Sequence, residues 1–132
     1  MRLLLDTHFA FWWQTGDDRV TDEVQQFVDA ADEVRVSQVS LWELTVKAGL
    51  GKVHVDLSVF AAQVEKMGFS WLPIGNAHLL KLAELPAFDD HREPFDRLLV
   101  AQSIVEPLTL LTTDGKLARY GSTVRHIERP RP

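Results

Sequence analysis

Near its start the chain carries an apolar run, Leu3, Leu4 and Leu5, that stops at an acid, Asp6. A run this short that ends on a charge reads as a buried strand. The same kind of segment recurs. Residues 34–39 are rich in β-branched side chains, residues 69–72 are stopped by Pro73, and residues 108–112 and 122–127 follow later. Between them the apolar period changes to that of a helix. Residues 8–14 are aromatic, and Gly16-Asp17-Asp18 turns the chain after them. Residues 21–31 place Val24, Phe27 and Val28 at helical spacing. Residues 40–48 put Leu41, Leu44 and Ala48 on one side and stop at Gly49 and Gly51. Residues 58–67 are closed by Gly68, and Asn76 caps a helix over 76–82. Residues 85–94 make a polar loop with Asp89, Asp90 and His91. Pro94 then stands in the first turn of a helix that Pro107 ends. Residues 114–119 form a turn or short helix. Short apolar strands alternating with helices specify an α/β fold: three α/β/α layers around a mostly parallel sheet. No repeat or linker interrupts residues 1–132, which read as one domain.

Composition narrows the class. Of 132 residues, 45% are hydrophobic and 25% charged, which argues against disorder and allows a core without staples. There is no cysteine, so disulfides, thiolate metal sites and cysteine nucleophiles are excluded, and a reducing compartment is mildly favoured. No signal peptide and no stretch of membrane-spanning length is visible, so the expected location is the cytoplasm. The net charge of −5 is unusual for a protein that binds by neutralising phosphates. An RNA substrate would require bound metal to offset some acids and basic residues gathered near the site. Candidates are Lys47, Lys52, Arg92, Arg97, Lys116 and Arg119; any one of them can equally belong to a solvated surface.

Parallel sheets build sites beyond the carboxyl ends of their strands. Asp6 lies just past the first strand and Asp114 just past the fourth. Glu43 falls in the first turn of the helix after the second strand, and Asp96 in the first turn of the helix before the fourth. Four carboxylates are thus placed for one pocket. Like charges converge only around a cation, and oxygen ligands select hard ions such as Mg²⁺ or Mn²⁺. Zinc does not suit the set, because the five histidines have no metal-ligand spacing. Each acid also has a structural role open to it. Asp6 can cap the following helix, and Glu43 can complete a capping box with Ser40. Asp96 suits a helix N-terminus, and Asp114-Gly115 suits a turn.

Four blocks resolve these alternatives by resemblance. Leu4-Leu5-Asp6-Thr7-His8, Ser40-Leu41-Trp42-Glu43-Leu44 with Lys47, His91-Arg92-Glu93-Pro94-Phe95-Asp96-Arg97-Leu98-Leu99 continuing to Ala101-Gln102, and Leu110-Leu111-Thr112-Thr113-Asp114 stand in that order over residues 3–120. The set resembles the motifs of PIN-domain proteins, VapC-type toxins in particular. The resemblance implies a PIN-like fold and a Mg²⁺- or Mn²⁺-dependent ribonuclease in which Asp6, Glu43, Asp96 and Asp114 form the catalytic, metal-binding set. Asp6 and Asp96 are implied as direct ligands, with Glu43 and Asp114 binding directly or through water and Thr112 supporting the site. It further implies a homodimer, a cognate antitoxin and a toxin–antitoxin role. One departure is Glu93, where the family commonly has Asp before the proline; it is expected outside the ligand set. Phe11, Trp12, Trp13 and Trp42 are expected to pack the core, and His91 to be a loop residue. Two other readings compete. A phosphatase with an Asp nucleophile often carries a second Asp two residues on, where this chain has His8. A non-catalytic binding module is disfavoured by the presence of all four acids.

Overall fold

The structure, a computed structural model, describes residues 1–90 and 93–128. The loop expectations for His91 and Arg92 therefore lie outside the described residues. Five strands form one sheet in the order β3-β2-β1-β4-β5: β1 (Arg2–Leu5), β2 (Glu33–Ser37), β3 (Ser70–Leu72), β4 (Thr109–Thr112) and β5 (Val124–His126). Every pairing is parallel, with Leu5 opposite Val36 on one side and Leu111 on the other. The helices are α1 (Thr7–Thr15), α2 (Asp22–Ala30), α3 (Gln38–Gly49), α4 (Leu57–Lys66), α5 (Asn76–Glu84) and α6 (Pro94–Val105). A 3-10 helix, Gly115–Tyr120, precedes β5.

Three layers follow from the two-residue period of a strand. Leu3 and Leu5 of β1 point into a core shared with Phe9, Trp12, Val24, Phe60 and Val64 from α1, α2 and α4. Leu4, one residue out of phase, enters a second core with Leu98, Leu99 and Leu117. The central strand is buried on both faces, which explains why its sequence is apolar without alternation. Left-handed glycines follow α1, α3 and α4. Gly16 (φ 66°) ends α1 with its N–H on the Trp12 carbonyl, and Gly68 (φ 85°) turns the chain from α4 toward β3.

Three local expectations need correction. The second strand ends at Ser37, not Val39, and Ser37 caps α3 by accepting the Val39 N–H at 2.9 Å. Ser40 lies one turn inside and accepts a hydrogen bond from the Thr7 hydroxyl at 3.0 Å. Glu43 is therefore in the second turn, and the proposed capping box does not form. Gly75, not Asn76, caps α5; having no side chain, it is served by His78, whose Nδ1 accepts the Gly75 N–H at 2.9 Å. Trp42 is 48% exposed instead of packing the core. At 100° per residue it falls 200° from Ser40, away from the face that buries Ser40, Glu43 and Leu44. Trp12 is buried, while Phe11 and Trp13 lie partly buried against the first core. No helix among the described residues is long and apolar enough to cross a membrane.

Candidate active site

The sheet order changes direction at β1, whose sequence neighbour β2 lies on one side and β4 on the other. Such switch points leave a crevice at the carboxyl edge. Asp6 follows β1 directly, with its N–H on the Leu111 carbonyl at 3.1 Å, so β1 and β4 present their ends together. Asp114 follows β4 by two residues, and α3 leaves the same edge from β2 carrying Glu43. The C-terminus of α6 feeds the start of β4, which puts its N-terminus and Asp96 back at the carboxyl edge.

Asp6 and Glu43 are 3% and 2% exposed, and Asp96 and Asp114 are half-buried. One oxygen of Asp6 caps α1 through the Phe9 N–H at 2.8 Å. Burial raises the Asp6 pKa; the Phe9 hydrogen bond, His8 and the Thr112 hydroxyl pull it down, and the charge of Glu43 pushes it up again. Thr112 is fully buried and also accepts the Asp114 N–H at 3.0 Å, so one hydroxyl links two of the acids. Asp114 in turn accepts the Lys116 N–H at 3.0 Å. Capping and site geometry thus coexist in Asp6 and Asp114.

Asp96 is strongly perturbed as well. Burial, then the charges of Glu93, Glu43, Asp6 and Asp114, push its pKa up to about 8. The other three predicted acids, Asp6, Glu43 and Asp114, all lie close enough to act on it. The sequence reading left Glu93 without a role. Both its oxygens cap α6, accepting the Phe95 N–H at 3.1 Å and the Asp96 N–H at 2.7 Å. Pro94 marks the helix start in the sequence, but Glu is not among the residues that ordinarily signal a cap. Glu43 pairs with Lys47 one turn on, through its Oε2. Burial lowers the Lys47 pKa, but the hydrogen bond and charge of Glu43, with Glu93 and Asp96 behind it, leave it raised. The other Glu43 oxygen, Oε1, is buried with no hydrogen-bond partner among the described residues.

That bare oxygen, and a carboxyl driven to about pKa 8 by burial and then by its acidic neighbours, fit a hard cation. Among the described residues no three His, Asp or Glu side chains form a ready-made metal cage.

Beside Glu43 opens a groove of about 500 Å³ whose lining includes Thr7, His8, Trp12, Arg19, Lys47 and Lys52. His8 stacks on Trp12 at 5.3 Å, and the Arg19 guanidinium lies 4.2 Å from the Trp12 ring centre. Of the other predicted basic residues, Arg97 reaches the Leu85 and Pro86 carbonyls at 3.4 Å. Lys116 and Arg119 both bond to Asp90. These three brace the loop before α6.

A parallel sheet with an acidic switch-point site defines a class, and residues 3–122 match the PIN domain. The chain belongs to the PIN-domain family. It is 29% identical over 136 aligned residues to Ribonuclease VapC22 of Mycobacterium tuberculosis, covering 98% of this chain and 95% of that protein. Its fold is similar to that in VapBC2 from Rickettsia felis bound to a promoter DNA fragment. That match has a TM-score of 0.65 and 15% identity, over 98% of this chain and 100% of the other. It is also similar to the fold in VapBC-5 from Mycobacterium tuberculosis, with a TM-score of 0.61 and 21% identity over 96% and 98% of the two chains.

Proposed function

We propose that residues 1–132 act as a single domain with metal-dependent ribonuclease activity, as the toxin of a toxin–antitoxin pair in the cytoplasm. The observation that carries this reading is the crowding of Asp6, Glu43 and Asp114 around Asp96, with a Glu43 oxygen left bare. The relative named as a ribonuclease and the neighbours named as VapBC complexes support the activity and a cognate antitoxin partner.

Bound Mg²⁺ or Mn²⁺ would supply a Lewis acid for the phosphodiester and a water of lowered pKa. Asp6 and Asp96 would hold it. Lys47 orients Glu43, and Thr112 orients Asp6 and Asp114. Along the groove Lys47 is paired with Glu43 and Arg19 with Asp17, so Lys52 is the cation placed to meet an RNA strand there. Trp42, Val46 and Leu50 form an exposed apolar stripe one turn apart along α3. The stripe supports association, and a homodimer is part of the proposal.

The test is cleavage of total cellular RNA in Mg²⁺ with mapping of the new ends. Defined ends are expected. RNA that stays intact at high protein concentration would remove the activity. Glu43 has a separate test. Since Ser37 caps α3, Glu43→Gln leaves the cap intact, and Lys47, about one-third exposed, can turn to water. Cleavage should fall roughly 10–100-fold while the melting temperature barely moves. Wild-type turnover would take Glu43 out of the site.

A further inference from the structure

Outside the acids, a largely buried polar network that does not line the groove joins α6 to the β2–α3 junction, reaching solvent at Glu106. We propose that Gln102 is a positioning residue for the acidic site. Through Ser37, it fixes the helix that carries Glu43 against the helix that carries Asp96.

Gln102 lies on α6 and is fully buried. Its Oε1 accepts the Ser37 hydroxyl at 2.5 Å. With that proton committed, the Ser37 oxygen accepts the Val39 N–H and caps α3. The Gln102 amide nitrogen donates to the Pro73 carbonyl at 3.3 Å and stands 3.4 Å from His78 Nδ1. Nδ1 already accepts the Gly75 N–H, so the ring proton is on Nε2 and donates to Glu106 at 2.6 Å. Glu106 sits at the end of α6, one turn beyond Gln102. The β2–α3 junction, the start of α5 and α6 are thereby fastened at one point.

The placement matters for the acids. Ser37 is six residues before Glu43 and Gln102 six after Asp96, each about 9 Å of helix. Apolar side chains of the same size would pack α3 on α6 but would leave their slide and rotation free within the packing. A directional bond between fully buried groups does not, because any slip leaves a polar atom unpaired. A misplacement of about 1 Å at a reacting centre can cost ~10²-fold, and the cation would depend on the spacing of Glu43 and Asp96. The inference rests on the proposal that these two acids serve one cation.

The experiment measures Mn²⁺ affinity of the metal-free protein by calorimetry, beside melting temperature in EDTA, for wild type, Gln102→Met, Ser37→Ala, Ser37→Thr and the double variant Gln102→Met/Ser37→Ala. Gln102→Met keeps length and volume and removes both polar ends. It and Ser37→Ala should each weaken Mn²⁺ binding tenfold or more. The double variant should be no weaker than either single one, and Ser37→Thr, which keeps the hydroxyl, should bind like wild type. Unchanged affinity in Gln102→Met, whatever its melting temperature, would overturn the positioning role alone. Effects that add would overturn it too. If Gln102→Met does not fold, equal affinity in Ser37→Ala and Ser37→Thr would be decisive against it. Wild-type protein that binds no Mn²⁺ would overturn the metal reading and this inference with it.

Discussion

Asp96→Asn should abolish RNA cleavage and leave the metal-free protein at least as stable as wild type. The carboxyl it replaces is held to about pKa 8 by burial and by Glu93, Glu43, Asp6 and Asp114, so its charge works against the fold until a cation arrives. Asn keeps the shape and removes the charge. Asp6→Asn should behave alike, for a reason visible in α1: Asn caps a helix as well as Asp does, so the Phe9 N–H keeps its acceptor. Losing about 4 kcal/mol of metal-derived charge stabilisation would slow cleavage ~10³-fold. The double variant should be no slower than either single one, because groups that hold one ion act as a unit. Thermal melts in EDTA beside cleavage rates in Mg²⁺ check both halves. Variants that melt lower yet still cleave would mean that these acids serve only as helix-start residues.

Removing the metal should have the second large effect. Cleavage should stop in EDTA and return with Mg²⁺ or Mn²⁺. The same protein in EDTA should also show a particular pH dependence. The folded Asp96 keeps its proton up to about pH 8, whereas the ordinary carboxyl value is 3.8. Between those values the folded chain holds a proton that the unfolded chain has released, so stability falls as pH rises. Asp6, also raised, pulls the same way. The melting temperature in EDTA should therefore drop from about pH 4 toward pH 8, and Asp96→Asn should flatten much of that slope. With metal the trend reverses, because the ion displaces the proton and binds more tightly as pH rises. A metal-free protein that gains stability over this range, or cleavage that survives EDTA, would contradict the electrostatics of the site.

Much of this was legible in the sequence because of how parallel strands are buried. A strand covered on both faces must be apolar throughout, so Leu3, Leu4 and Leu5 stood out and Asp6 marked the strand's end. Helix starts were harder. Ser37 and Ser40 are both competent caps, and the β-branched Val39 between them favoured extending the strand. The choice moved Glu43 from a capping role to a buried one. At α5 the cap signal was hidden, because a histidine three residues on does the work that Gly75 lacks a side chain to do. Trp42 was placed inside on the strength of its size, while its angle around α3 put it outside. The network through Gln102 was not foreseen at all: its partners come from residues 37, 73, 75 and 78, and only the sheet order brings them to α6.

The order of the strands also has a consequence for the newly made chain. The central strand is the first of the five in chain order, but one of its two neighbours is β4, so that Leu4 waits for Leu110. Pairing over such a sequence distance closes late, since the loop entropy must be met before the contact exists to offset it. Of the acids that crowd with Asp6, Glu43 comes 37 residues later, Asp96 90 and Asp114 108. The set is complete only once β4 has been made and Asp114 follows it. A chain interrupted before Thr109 lacks β4 and, with it, Asp114, one of the four acids. If the four acids act together, such a fragment would lack the complete set.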